Sequence, residues 1–212
     1  MLDLSLLQKI AISIIPILFA ITVHEVAHGW VANRLGDPTA RMLGRLTLNP
    51  IKHIDPIGTI LVPGVLLLLG GFVFGWAKPV PITWQNLKNP RRDVALVAIA
   101  GPMANLMMAC FWAILLRFSL SLDPQPLNLA FALFTMSQIG IIINVVLMVL
   151  NLIPFPPLDG SRIVSSLLPP RVAYQYERIE PYGTYILILL LFTGVLSWVM
   201  TPFVNFFVQV LM

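Results

Sequence analysis

Charge is what this sequence has least of. Its 212 residues include 13 Lys or Arg and 9 Asp or Glu, 10% together, against about 25% in an average soluble domain. Too few ionisable side chains are present to cover the surface of a soluble globule this size. Cysteine is nearly absent: Cys110 stands alone in an apolar run, which excludes an internal disulfide. No internal repeat, low-complexity tract or long polar domain interrupts the chain. What is abundant is apolar, 58% of residues, with a mean hydropathy of +0.89. The disordered, collagen-like, coiled-coil and disulfide-scaffold classes are therefore excluded, and an integral membrane protein remains. Eighteen prolines and 13 glycines are too many for plain spanning helices and predict irregular backbone at membrane depth. The net charge of +4 reads as basic loops that set orientation, with no nucleic-acid partner implied.

Four apolar runs, 10–31, 94–118, 129–152 and 182–212, are each long enough to cross a ~30 Å hydrocarbon core as a helix. The last is interrupted at Pro202. The N-terminus carries Asp3, no basic stretch before the apolar run and no A-x-A site, so the first segment is predicted to be retained. A fifth run, 57–74, contains Gly58, Pro63, Gly64, Gly70 and Gly71.

The connecting loops carry Arg34, Arg41, Arg45 and Lys52; then Lys78, Lys88, Arg91 and Arg92; then, after residue 152, Arg162, Arg171 and Arg178. The 119–128 connection has no base. If 57–74 crossed the membrane, the first two basic groups would face opposite sides, against the positive-inside tendency. If it re-enters, all eleven bases share the cytoplasmic side. The predicted fold is an all-α polytopic membrane protein of about four spanning helices plus this re-entrant or fifth segment. One membrane-embedded domain covers 1–212, with its core roughly at 10–168 and one or more helices in 182–212. The expected location is the cell membrane.

The chemistry sits in the first span. In His24-Glu25-Val26-Ala27-His28 the two histidines are i and i+4, on one helix face, where both imidazoles can hold one metal ion. Glu25 is turned about 100° around the helix, beside that ion, where it can take a proton from water. A carboxylate in an apolar span costs on the order of 2.5–3.5 kcal/mol, which argues for a function or a partner.

A hydrolytic zinc site needs a third protein ligand and an open position. Asp159 is the best candidate, presented after Pro154, Pro156 and Pro157 and before Gly160. By pattern alone it equally suits a helix N-cap. To reach the same ion, Asp159 must lie on the same side as the His24/His28 end of the first span, which requires an even number of crossings between them. The runs 94–118 and 129–152 supply two, and a crossing at 57–74 would make three. Loop charge and ligand geometry thus predict the same re-entrant topology, with the site near the cytoplasmic face.

HEVAHG (24–29), GPMAN (101–105) and NLIPFPPLDG (151–160), in this order, resemble the site-2 protease family of intramembrane zinc metalloproteases, in its compact branch without PDZ or CBS domain. The resemblance implies that His24, His28 and Asp159 bind one Zn2+ per chain and that Glu25 activates water. It also implies that Asn151 positions the substrate carbonyl or its oxyanion, and that Gly101, Pro102 and Asn105 permit close helix packing. The implied activity is endopeptidase cleavage of transmembrane segments of other membrane proteins in the lipid bilayer.

The stretch 76–84, WAKPVPITW, has two readings. It is either a short interfacial β-strand, its prolines aligned on one edge and its other edge free for an unwound substrate, or a Pro-rich loop anchored by tryptophans. His53 is expected to hydrogen-bond within its loop and is not counted as a ligand. Ser137, Gln138 and Asn144 line a water path or hydrogen-bond between helices. A divalent-metal transporter is the competing function, disfavoured by the absence of repeated halves.

Overall fold

The computed structural model describes residues 6–61, 65, 78–125 and 128–212. The first apolar run folds as α1, Leu6–Leu35, 30 residues or about 45 Å at 1.5 Å per residue. A short helix, α2 (Thr39–Met42), leads into a turn at Gly44, whose φ of +63° suits a residue without Cβ. Single turns follow at Pro50–His53 and Pro56–Leu61. The chain is then described again from an extended stretch, 78–83, and a turn at Trp84–Asn86.

The central helix, α3, runs from Pro90 to Ser121. It starts where Pro90 needs no hydrogen-bond partner for its nitrogen and where Asn89 N–H donates to Asp93 Oδ2 at 2.8 Å. Next comes α4, Leu129–Leu152, capped by Asn128, whose Oδ1 accepts from Phe131 N–H at 2.7 Å. Four shorter helices complete the chain: α5 (Asp159–Leu167), α6 (Pro170–Glu177), α7 (Glu180–Phe192) and α8 (Val195–Leu211).

Among the described residues three helical stretches are long and apolar enough to cross a membrane: Ile10–Leu35, Pro90–Ser121 and Leu129–Leu152. The pair α7 and α8 makes a fourth if counted as one span, bent by 78°. The protein is a multi-pass, all-α membrane protein. Its spanning core is built on α3, which packs against α1, α4 and α5. Ala109, Trp112, Ala113 and Leu116 of α3 interlock with Ile141, Val145, Met148 and Val149 of α4, and α8 closes over them. Gly140 makes this possible, because a Cβ there would overlap the Trp112 indole. Lipid gives no hydrophobic drive for helix association, so such close fits carry it.

The polar ends are tied separately. Asp37, fully buried after α1, accepts from Thr39 Oγ1 (2.5 Å), Asn86 Nδ2 (2.9 Å) and Thr83 N–H (2.8 Å). Burial pushes its pKa up, but these hydrogen bonds win and hold it below the usual carboxylate range. On the far side of α5, Arg162 pairs with Glu180, Ser165 Oγ donates to Glu177 at 2.5 Å, and Tyr176 OH donates to Pro154 O at 2.8 Å. The helices α6 and α7 therefore brace the loop that precedes Asp159.

Two expectations are revised. The C-terminal run breaks at Gly194, not at Pro202. Gly194 takes φ +77° and its N–H closes the last turn of α7 on Leu191 O at 3.1 Å, while Pro202 is accommodated inside α8. The strand reading of 76–84 is also replaced. No strand is found among the described residues, and 78–83 is extended without a ladder. Trp76 and Ala77 lie outside the described residues. So does most of the 57–74 run, and with it the choice between crossing and re-entry.

Candidate metal centre

His24 and His28 stand one turn apart on α1, both buried, with ring centroids 4.6 Å apart and planes at 80°. Their Nε2 atoms approach to 3.0 Å. Asp159, in the first turn of α5, brings Oδ2 to 3.3 Å from His24 Nε2 and 3.2 Å from His28 Nε2. It makes no side-chain cap there, and Leu158 takes the N-cap position, so the capping alternative is not realised. Among the described residues, this is the one group of three or more His, Cys, Asp or Glu side chains with converging ligand atoms, all within 4.8 Å.

The protons on these rings follow from their other contacts. His28 Nδ1 faces Val97 O at 2.7 Å, and a carbonyl can only accept, so Nδ1 carries the hydrogen. For His24 the argument takes one more step. Its Nδ1 faces Asn105 Oδ1 at 2.6 Å. The Asn105 amide is oriented by its own NH2, which donates to Ala20 O (3.1 Å) and to Asn144 Oδ1 (2.9 Å), while Asn144 Nδ2 donates to Gly140 O (2.8 Å). Two backbone carbonyls thus set the sense of the whole chain of bonds, and His24 Nδ1 is also a donor.

Both Nε2 atoms are therefore bare in the neutral rings. Two lone pairs and a carboxylate oxygen point at one another, and Asp159 Oδ2 is buried with no hydrogen-bond donor. Such a group repels itself unless a cation sits among the three atoms. Two imidazoles and one carboxylate suit a catalytic zinc ion with an open position. The donor set fits.

Helix α3 closes the other wall at Gly101. A Cβ there would overlap His28 Nε2 and fall 2.6 Å from His24 Cε1. Beside Asp159, a Cβ at Gly160 would overlap Leu152 O and lie 2.5 Å from Ile153 O, so the start of α5 packs on the end of α4 only because this residue is bare backbone.

Glu25 meets the extended stretch: its Oε2 accepts from Val80 N–H at 2.7 Å. Lys78 N–H is likewise taken, by His53 O at 3.0 Å. Two N–H groups of the edge read as free for a substrate are thus engaged within the protein. Asn151 turns its amide onto its own helix, donating to Leu147 O at 3.0 Å, and the structure shows no bond from it to the three converging residues. His53 stays in its loop, with Nε2 at 2.9 Å from Thr47 O. Asn144 serves between helices, as described, and Ser137 donates to Leu133 O at 2.7 Å within α4.

Residues 12–138 and 127–194 match Peptidase family M50. The chain belongs to this family, the site-2 proteases. It is 42% identical over 194 residues to YwhC of Bacillus subtilis, named as a zinc metalloprotease, covering 91% of this chain and 85% of that protein. With Rip2 of Mycolicibacterium smegmatis, also named as a zinc metalloprotease, it shares 33% identity over 183 residues, 85% of this chain and 66% of that protein. With the Escherichia coli regulator of sigma-E protease RseP it shares 35% over 115 residues, about half of this chain and a quarter of the other. No solved structure matches.

This M50 peptidase is a membrane zinc metalloprotease, and the family sets aside the transporter alternative. Within it, the sequence motifs had marked Asn105 only as a packing residue. Its part in orienting His24 was not legible, nor was that of the Val97 carbonyl, because both depend on how α3 lies against α1. Replacing Asn105 with Ala removes the acceptor that keeps His24 Nδ1 protonated and the ring turned inward. With His24 as a zinc ligand, the affinity is expected to fall about 10- to 100-fold, the range for groups that support metal-binding histidines. A competition titration against a chromophoric chelator measures it, and an unchanged affinity would show that the ring holds its orientation without the amide.

Proposed function

We propose that the chain is an intramembrane endopeptidase that cuts transmembrane segments of other membrane proteins near the cytoplasmic face of the cell membrane. His24, His28 and Asp159 hold its zinc, Glu25 is the general base, and the chain works as one membrane-embedded domain. The observation that carries the proposal is the convergence of two unprotonated Nε2 atoms of the apolar helix α1 with an undonated carboxylate oxygen, and with a second carboxylate next along the same turn of α1.

Zinc bound there polarises a carbonyl and acidifies water. Glu25 takes the proton of the attacking water and returns it to the leaving amine. One of its oxygens is anchored by Val80 N–H, which leaves the other for that transfer. Asn151 spends one amide N–H on Leu147 O and keeps the second, with its Oδ1, for the substrate backbone. A substrate helix satisfies its peptide groups internally, so the bond to be cut must first unwind. The cytoplasmic placement rests on the basic residues at that end of the molecule, since Arg34 lies in the last turn of α1, on the side of the histidines, and Arg41 and Arg45 follow it.

Purified protein in liposomes, given a single-span Leu/Ala reporter broken by Gly-Pro and carrying a fluorophore–quencher pair, is the test. Cleavage is expected to stop when a chelator strips the metal and to return on adding zinc. Mass spectrometry should place the cut in the reporter half nearer the basic loops. Cleavage indifferent to the chelator would overturn the proposal.

A further inference from the structure

The extended stretch that meets Glu25 is held from behind by a side chain outside all three sequence motifs. Arg45 Nη2 donates to Lys78 O at 2.9 Å and reaches Pro79 O at 3.4 Å. Its own backbone is fixed, because Arg45 N–H donates to Ala40 O at 2.8 Å just past the left-handed turn at Gly44. Lys78 N–H is pinned to His53 O at 3.0 Å. Between Pro79 and Pro81, which have no N–H and restricted φ, Val80 carries the only amide hydrogen. That hydrogen is the one donated to Glu25 Oε2. The Val80 side chain is buried against Gly29, where a Cβ would come within 2.7 Å of Val80 Cγ1. Few degrees of freedom remain in this peptide, and the bonds to Arg45 remove the next of them.

We propose that Arg45 is a positioning residue for the reaction: by gripping the Lys78 and Pro79 carbonyls it sets the Val80 N–H that aims the Glu25 carboxylate. The inference rests on the assignment of Glu25 as the base. A carboxylate on a flexible stem has many rotamers, and tying one oxygen to a rigid peptide selects the one that presents the other to the reacting water. Losing the grip leaves substrate contacts and metal ligands in place but lets the base wander, and small misplacements of a reacting group carry large rate losses.

Arg45→Met keeps the length of the stem and removes its donors. Measured in the liposome assay with the Gly-Pro reporter, it is expected to keep one zinc per chain and to lose about tenfold to a hundredfold in kcat, with KM essentially unchanged. Arg45→Lys, which returns one donor to the Lys78 carbonyl, should recover part of that loss. In a Glu25→Gln background, Arg45→Met should cost nothing further, because the group it positions is gone.

Wild-type kcat in Arg45→Met would overturn the inference. So would a loss confined to KM, which would make the stretch a substrate clamp, or a gain in kcat, which would make it a plug. Loss of zinc in Arg45→Met and Arg45→Lys alike would reduce the residue to a folding role. A failure of the underlying assignment reads differently: Glu25→Gln alone would then keep its cleavage.

Discussion

Glu25→Gln is expected to keep its zinc and to lose cleavage by about a hundredfold to ten-thousandfold, the usual weight of a general base. The amide has nearly the shape of the carboxylate, and its oxygen accepts the Val80 N–H bond as Oε2 does now, so the extended stretch keeps its place. None of His24, His28 and Asp159 is touched. Only proton uptake is lost. The substitution also removes a charge from an apolar helix, so thermal stability should hold or rise. Metal analysis per chain, reporter cleavage and a melting curve on one preparation decide it. A loss of less than about tenfold, with zinc intact, would show that another group takes the proton.

Gly101→Ala should produce the opposite pattern, in which metal and activity go together. The added Cβ falls on the two imidazole rings proposed to hold zinc, overlapping His28 Nε2 and lying 2.6 Å from His24 Cε1. Neither ring can step aside without giving up Val97 O or Asn105 Oδ1. Helix α3 cannot back away cheaply either, since Asn105 is bonded to Ala20 O of α1 and Trp112 is wedged over Gly140 of α4. Overpacking of this kind costs about 1–3 kcal/mol. Zinc affinity is expected to fall at least about a hundredfold, the upper end of what losing a ring-orienting group does, with cleavage falling in step at limiting zinc. Met107→Ala, on the lipid-facing side of the same helix and 64% exposed, is the control and should change neither. Normal zinc content in Gly101→Ala would show that the two helices have room that the structure denies them.

Local pattern was enough for much of the site. An i, i+4 spacing puts His24 and His28 on one face wherever the helix lies, and the cost of a carboxylate in lipid singles out Glu25 in any fold. The three prolines and Gly160 announce unwound backbone before Asp159. The same kind of argument failed at the C-terminal run, where Pro202 looked like the break. A proline inside a membrane helix forfeits one hydrogen bond and is tolerated, whereas Gly194 can take the left-handed turn that ends α7. At 76–84 alternation left an edge strand and a Pro-rich loop equally open, and the structure decided against the strand over 78–83. A strand requires a neighbour, and here the Lys78, Val80 and Thr83 N–H groups go singly to His53 O, Glu25 and Asp37.

The scarce charge, the spanning runs, the paired histidines and the candidate acid were determined by the sequence alone, because periodicity and the cost of burying charge act within one helix or one loop. Which proton sits on which imidazole, which backbone amide meets Glu25, and which glycine gives the rings their space belonged to the tertiary structure. Asn105 lies 81 residues from His24, and Val80 lies 55 from Glu25. Contacts at such separations depend on how one helix is rotated and set against another. That is a property of the packed assembly, and no stretch of the sequence encodes it locally.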